Sequence, residues 1–308
     1  MLTTLAATLP VIFLIALGAV LKHRFLPGRE VWRGIEFMTY WLFTPSLFFS
    51  TIVQVDLSGV PFGAMVLALI LPWIVATVLV LVTALIIKPD GPRLTSQVQG
   101  AVRINTYVGI VLMSIMHGQE GLAIFAVATS LGVPIANLMA VPVLTRWGAR
   151  PDGAPRPKLI REVITNPMIV SCFGALAINF AGITIPTLVL EPIELLGGPA
   201  LVLGTMTAGA ALRLAISKSD ILDIAISTVL GMIIMPLLAY WLATCFGISD
   251  PLLLRCIVLV TALPAAPSAV ILAGRLGGDV PRIAAITGAQ TMLCIVTIPL
   301  ILELVPVP

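Results

Sequence analysis

Residues 252–273 read LLLRCIVLVTALPAAPSAVILA, a run apolar enough to cross a membrane yet carrying Pro264 and Pro267 three apart at its centre. A proline inside a helix loses one backbone hydrogen bond and clashes with the carbonyl four residues back, at ~3 kcal/mol or more. Two of them in one span predict a broken helix rather than a merely kinked one. A break at membrane depth survives only where its freed backbone groups face protein or a water-lined cavity. A second run, residues 96–116, SQVQGAVRINTYVGIVLMSIM, is interrupted at its centre by Asn105, Thr106 and Tyr107, with Gly109 behind them. Two runs interrupted at similar depth make the break the better reading of each.

Outward from these two runs, the whole chain has the same character. Of its 308 residues, 59% are hydrophobic and 10% charged, and the mean hydropathy is +1.13. Soluble domains run about 45–50% apolar and about 25% charged. The apolar residues come in long uncharged stretches, as transmembrane helices do, and nothing alternates as barrel strands do. Cutting at charges and Pro/Gly clusters gives ten spans: 2–21, 33–54, 62–87, 96–116, 122–145, 163–181, 186–212, 220–246, 252–273 and 282–303. The fold class expected is an all-α polytopic membrane protein. Residues 1–21 start without charge and are followed by Lys22, His23 and Arg24, which reads as a retained first span rather than a signal peptide.

Lys and Arg favour cytoplasmic connections. They flank the odd connections: Lys22, Arg24, Arg29 and Arg33 the first, Lys88 and Arg93 the third, Arg213 and Lys218 the seventh, Arg275 and Arg282 the ninth. The even connections carry Asp56, Glu120, Glu191, Glu194 and Asp250, opposed by Arg255. Both termini are therefore expected outside, in the cell (inner) membrane. The fifth connection, GARPDGAPRPK at 148–158, is Pro-, Gly- and Arg-rich and falls at the midpoint, which makes it a cytoplasmic linker. It divides the chain into a first five-helix repeat (1–147), a linker (148–162) and a second five-helix repeat (163–308). An odd number of spans per half inserts the halves with opposite orientation, the topology of inverted-repeat carriers, and pairs span 4 with span 9.

The second half-helices of the two broken spans, beginning after Tyr107 and near Pro264, would each point a positive N-terminal end toward the bilayer centre. That geometry attracts an anion. Asn105 and Thr106 add neutral donors and acceptors, and Tyr107 an amphipathic ring with a hydroxyl, a set suited to a small carboxylate with an apolar body.

The run Arg103-Ile104-Asn105-Thr106-Tyr107 in span 4, Ala262-Leu263-Pro264 in span 9 and Phe43-Thr44-Pro45-Ser46-Leu47-Phe48 in span 2 resemble the auxin efflux carrier family, which includes the plant PIN-FORMED exporters and many bacterial relatives. The likeness extends over essentially the whole chain. It implies a scaffold of spans 1, 2, 6 and 7, a transport unit of spans 3–5 and 8–10 moving as an elevator, and an organic anion bound where spans 4 and 9 cross. By that likeness Asn105 and the backbone around Pro264, through Ala265, Pro267 and Ser268, would touch the substrate carboxylate, and the chain would pair as a homodimer. The short central loop and a span 3 without charge depart from the plant exporters. Bacterial relatives are thought to carry small carboxylates such as malonate or malate, so auxin itself is not implied.

Other polar residues carry two readings each. Asn137 in span 5, with Gln290 and Thr291 in span 10, either offers neutral oxygens to a coupling sodium ion or hydrogen-bonds neighbouring helices at ~0.6 kcal/mol each. The second is the commoner use. Arg103 either binds the anion or snorkels to the interface. Span 7 is rich in small residues for close packing, and its threonines, Thr205 among them, line the scaffold side of the cavity. Glu36 is the most embedded acid, and no acid or histidine falls at midplane to relay protons. Cys172, Cys245, Cys256 and Cys294 read as small buried hydrophobes, and the five tryptophans as interface anchors or core. No cofactor, resident metal or nucleic-acid footprint is expected. A secondary carrier is the leading function; a sodium-coupled symporter, a channel or receptor, and an intramembrane enzyme are the alternatives. The last would need paired carboxylates, a Ser and His at matching depth or a metal cluster.

Overall fold

The structure is a computed structural model and describes residues 2–149, 165–212 and 216–303. Among them all regular structure is helical: α1 (Leu2–Val20), α2 (Arg29–Met38), α3 (Thr44–Gln54), α4 (Phe62–Ile87), α5 (Gly91–Val102), α6 (Thr106–Trp147), α7 (Pro167–Phe180), α8 (Thr187–Gly197), α9 (Pro199–Ala210), α10 (Ile221–Thr228), α11 (Met235–Cys245), α12 (Pro251–Ala262), α13 (Ser268–Leu276) and α14 (Val280–Glu303). The linker at 148–158 lies mostly outside the described residues. Wider π turns join α2 to α3 (Thr39–Phe43) and α10 to α11 (Val229–Ile234). Each precedes a proline, Pro45 or Pro236, whose ring crowds the carbonyl four residues back; one wider turn makes the room.

Among the described residues six stretches are long and apolar enough to cross a membrane: Thr8–Phe25, Phe62–Ile87, Gly91–Trp147, Thr187–Ala210, Lys218–Cys245 and Val280–Glu303, with Pro167–Phe180 and Pro251–Ala262 as shorter apolar helices. The longest of the six is not one rod. It is interrupted between α5 and α6, and α6 itself turns a corner at Gly118, whose φ of 59° and ψ of −144° lie where only glycine is at ease. The corner falls between the runs 96–116 and 122–145 read as separate spans.

The helices pack in two sets. In one, α1 lies along α9, and α3 along α7 and α8. Here backbones nearly touch: a Cβ on Gly18 would stand 2.0 Å from the Met206 carbonyl oxygen, and one on Gly209 2.0 Å from that of Ile15. Small residues permit this approach where dispersion, not water, drives helix association. In the other set α12 packs against α6 and α11, α11 against α4, and α5 against α10 and α14. The sets meet along α6, which touches α1, α3 and α9.

At one end of the second set a buried charge network ties three helices. Asp223 on α10 is fully buried and accepts hydrogen bonds from Arg93 Nε on α5 at 2.9 and 3.0 Å, from Gln97 Nε2 at 2.5 Å and from Arg282 Nη1 on α14. Arg282 also pairs with Asp220 at 3.2 Å and Asp279 at 2.9 Å. Asp223, not the half-buried Glu36, is thus the more embedded acid. Its carboxylate is paired with cations from two other helices, which is what makes full burial tolerable. Cys172, Cys256 and Cys294 are buried as expected; Cys245 is exposed, because it is the last residue of α11.

Gly209→Ala is expected to destabilise the protein by about 1–3 kcal/mol, since backbone cannot yield to the added methyl, whereas Gly174→Ala, with open space around it, should change stability by no more than about 0.5 kcal/mol. Thermal denaturation of the detergent-solubilised protein checks both. Asp223→Ala takes the carboxylate partner from Arg93 and Gln97, while Arg282 keeps Asp220 and Asp279, and should cost about 1–3 kcal/mol by the same measurement.

Candidate functional site

The site is built where the α5–α6 and α12–α13 breaks meet. The second break is written in the chain. Leu263 precedes a proline, which bars it from helical geometry, and it is extended at φ −65°, ψ 144°. Pro264 and Ala265 continue non-helical, and Pro267 caps α13, which begins at Ser268. The half-helix therefore starts four residues beyond Pro264, later than the prolines alone suggested. The first break has no proline. Arg103 and Asn105 leave helical geometry at ψ 139° and ψ 90°, and the Asn105 Oδ1 accepts from the Tyr107 N–H at 3.2 Å, capping α6. The half-helix begins at Thr106, so Thr106 and Tyr107 lie in its first turn rather than ahead of it.

Each break satisfies the other. The Asn105 N–H donates to the Pro264 carbonyl at 2.7 Å. Gln290 on α14 reaches both: its Nε2 donates to the Gly100 carbonyl at 2.9 Å, and its Oε1 accepts from the Ala265 N–H at 2.9 Å. Trp73 on α4 donates from Nε1 to the Val102 carbonyl at 2.8 Å. These are the groups a helix end leaves unpaired. Trp73, read from sequence only as an anchor or core residue, is thus part of the crossing. Its partner lies 29 residues away, so no local signal marks it.

Beside the crossing lies a cavity of about 460 Å³. Asn105, Thr106 and Tyr107 line it from one break, Pro267 and Ser268 from the other. Arg103 lines it too, its guanidinium donating from Nη1 to Asn137 Oδ1 and from Nη2 to Ser268 Oγ at 2.7 Å. Charge-assisted bonds of this kind hold a side chain in one orientation. Arg33 and Glu36 of α2 stand at the same cavity. Pro264 and Ala265 are buried and are not in its lining. Thr207, not Thr205, faces it: Thr205 is fully buried and donates to the Leu201 carbonyl at 2.8 Å. Two residues apart on a helix point to different faces, and composition cannot tell which.

Asn105 is 1% exposed, and its Nδ2 is buried without a hydrogen-bond partner among the described residues. Such a donor is uncommon in a settled structure. The residues read as candidate ion ligands are not gathered. Asn137 lines the cavity, whereas Gln290 and Thr291 do not, and Thr291 donates to the Thr287 carbonyl at 2.8 Å. Among the described residues no three His, Cys, Asp or Glu side chains cluster as metal ligands do.

Residues 154–302, which include the α12–α13 break and Gln290, match the family model described as Membrane transport protein. No curated protein matches the chain. The resemblance first carried by the Asn-Thr-Tyr and Leu-Pro runs is thereby supported from the second half of the chain, which is similar to the membrane transport proteins of the auxin efflux carrier family.

Proposed function

We propose that the protein is a secondary carrier of a small organic anion, a carboxylate, bound in the cavity beside the crossing. The observation that carries this reading is the unpartnered Asn105 Nδ2, a buried donor next to a cavity that the first turns of α6 and α13 also line. A carboxylate accepts from an amide donor and from the N–H groups of two helix starts at once. Thr106, Ser268 and the Tyr107 ring complete a pocket polar at one end and aromatic at the other.

In this reading the chain makes ten passes as two inverted five-helix repeats. The set containing α1, α3, α7, α8 and α9 is the scaffold, and the set containing α4–α6 and α10–α14 the unit that moves against it. The close glycine packing of the first set and the charge network of the second suit two bodies that each stay rigid. Arg33 and Glu36 follow the first, basic connection, so a cavity that reaches them opens toward the cytoplasm under the positive-inside rule. Gln290 is engaged with backbone on both sides, which supports its helix-packing role over that of a sodium ligand.

Binding to the native state raises apparent stability by an amount set by ligand concentration over Kd. In thermal denaturation of the purified protein with a panel of small carboxylates, at least one acid should raise the midpoint. Asn105→Ala should weaken its apparent affinity by about 10- to 100-fold, the equivalent of a hydrogen bond to a charged group at about 1.5–3 kcal/mol. No shift with any carboxylate would end the substrate assignment. Unitary current steps in planar bilayers, in place of saturable uptake into liposomes, would end the carrier assignment.

A further inference from the structure

Tyr107 meets both the cavity and α9. It is in the lining, and its ring lies against Gly204, a buried residue of α9 that is not in the lining. A Cβ built on Gly204 would stand 2.3 Å from Tyr107 Cδ1 and 2.8 Å from both Cε1 and Cγ. The ring therefore fills the volume that any side chain at 204 would need, and Tyr107, unlike Gly204, lines the cavity. Its backbone has little freedom to follow a displaced ring. The Tyr107 N–H bonds the Asn105 Oδ1 at 3.2 Å, and the Tyr107 carbonyl lies 3.5 Å from Thr205 Oγ1.

We propose that Gly204 is a positioning residue that sets the size of the anion the cavity accepts. By presenting no side chain it leaves a slot for the Tyr107 ring and keeps that wall of the cavity recessed. This rests on the reading of the cavity as a carboxylate site. A methyl group at 204 needs about 3.5–4.0 Å from ring carbons, so the ring must retreat by roughly 1 Å or more. The Tyr107 backbone is held and the residue is itself part of the lining, so a displaced ring changes that wall of the cavity. Larger anions lose their place first, while the polar end at Asn105 and Ser268 is untouched.

The test uses the purified full chain and ligand-induced thermal stabilisation by straight-chain monocarboxylates from acetate to hexanoate, with phenylacetate as a bulky probe. Gly204→Ala should keep its apparent affinity for the shortest responding acid within about threefold and lose at least tenfold for the largest. The double variant Gly204→Ala/Tyr107→Leu, in which the ring is gone, should regain the large acids. An unchanged size profile in Gly204→Ala, an equal loss at every length, or no recovery in the double variant would each overturn the proposal; the second of these is what a packing role alone predicts. A second measurement needs no bound carboxylate. In a Cys245→Ser background, which removes the exposed native thiol, Ala266→Cys places a thiol in the cavity wall. Adding Gly204→Ala should slow its reaction with a bulky thiol reagent more than with a small one. Equal slowing, or none, refutes the ring movement. If the parent answers to no carboxylate while the reagent ratio shifts as expected, the carboxylate reading falls and the role of Gly204 in shaping the cavity stands.

Discussion

The hydrogen bond from the Asn105 N–H to the Pro264 carbonyl, 2.7 Å long, joins the two broken helices at the point where both have run out of helical partners. In apolar surroundings an unpaired backbone group costs several kcal/mol, so a break is tolerable only if every freed donor and acceptor finds a partner. Here the partners come from the opposing break and from two side chains on helices that pack behind it, Trp73 and Gln290. Both polar ends of the Gln290 amide are used, one on each break. A side chain with only a donor or only an acceptor would do half of this.

Once the crossing is closed in this way, the rest of the site follows. Two helix starts, at Thr106 and Ser268, come to one cavity, and Arg103 is drawn onto Asn137 and Ser268, which links one break to α6 and to the other break. The Asn105 side-chain amide keeps a free donor, and Asn105 lines the open volume beside the crossing. At the far end of α5, Arg93 and Gln97 hold Asp223. The helix that delivers Arg103 and Asn105 is therefore anchored at both of its ends, by ions at one and backbone bonds at the other.

The break in 252–273 was legible because proline acts on its own residue and its immediate neighbours. The start of its second half-helix, expected near Pro264, falls four residues later, since Pro264 ends one helix without starting the next. The break in 96–116 could be read only from the company of Asn105 and Thr106; the cap that Asn105 supplies is local, but the Pro264 carbonyl that fixes its backbone is not. Gln290 shows the opposite case. Its residue type fitted an ion ligand or a packing contact equally well, and the choice was made by two backbone groups, one 190 and one 25 residues away.

The sequence alone determined what depends on short-range chemistry: apolar runs of spanning length, helix ends at prolines and glycines, a basic linker at the midpoint and two interrupted runs. Tertiary structure decided everything that depends on which side of a helix meets which neighbour. It buried Asp223 against arginines 130 and 59 residues distant, turned Thr207 rather than Thr205 to the cavity, and laid the Tyr107 ring on Gly204. A residue's preference for helix or break is set by its own backbone, whereas its burial and partners are set by elements that come together only when the chain packs.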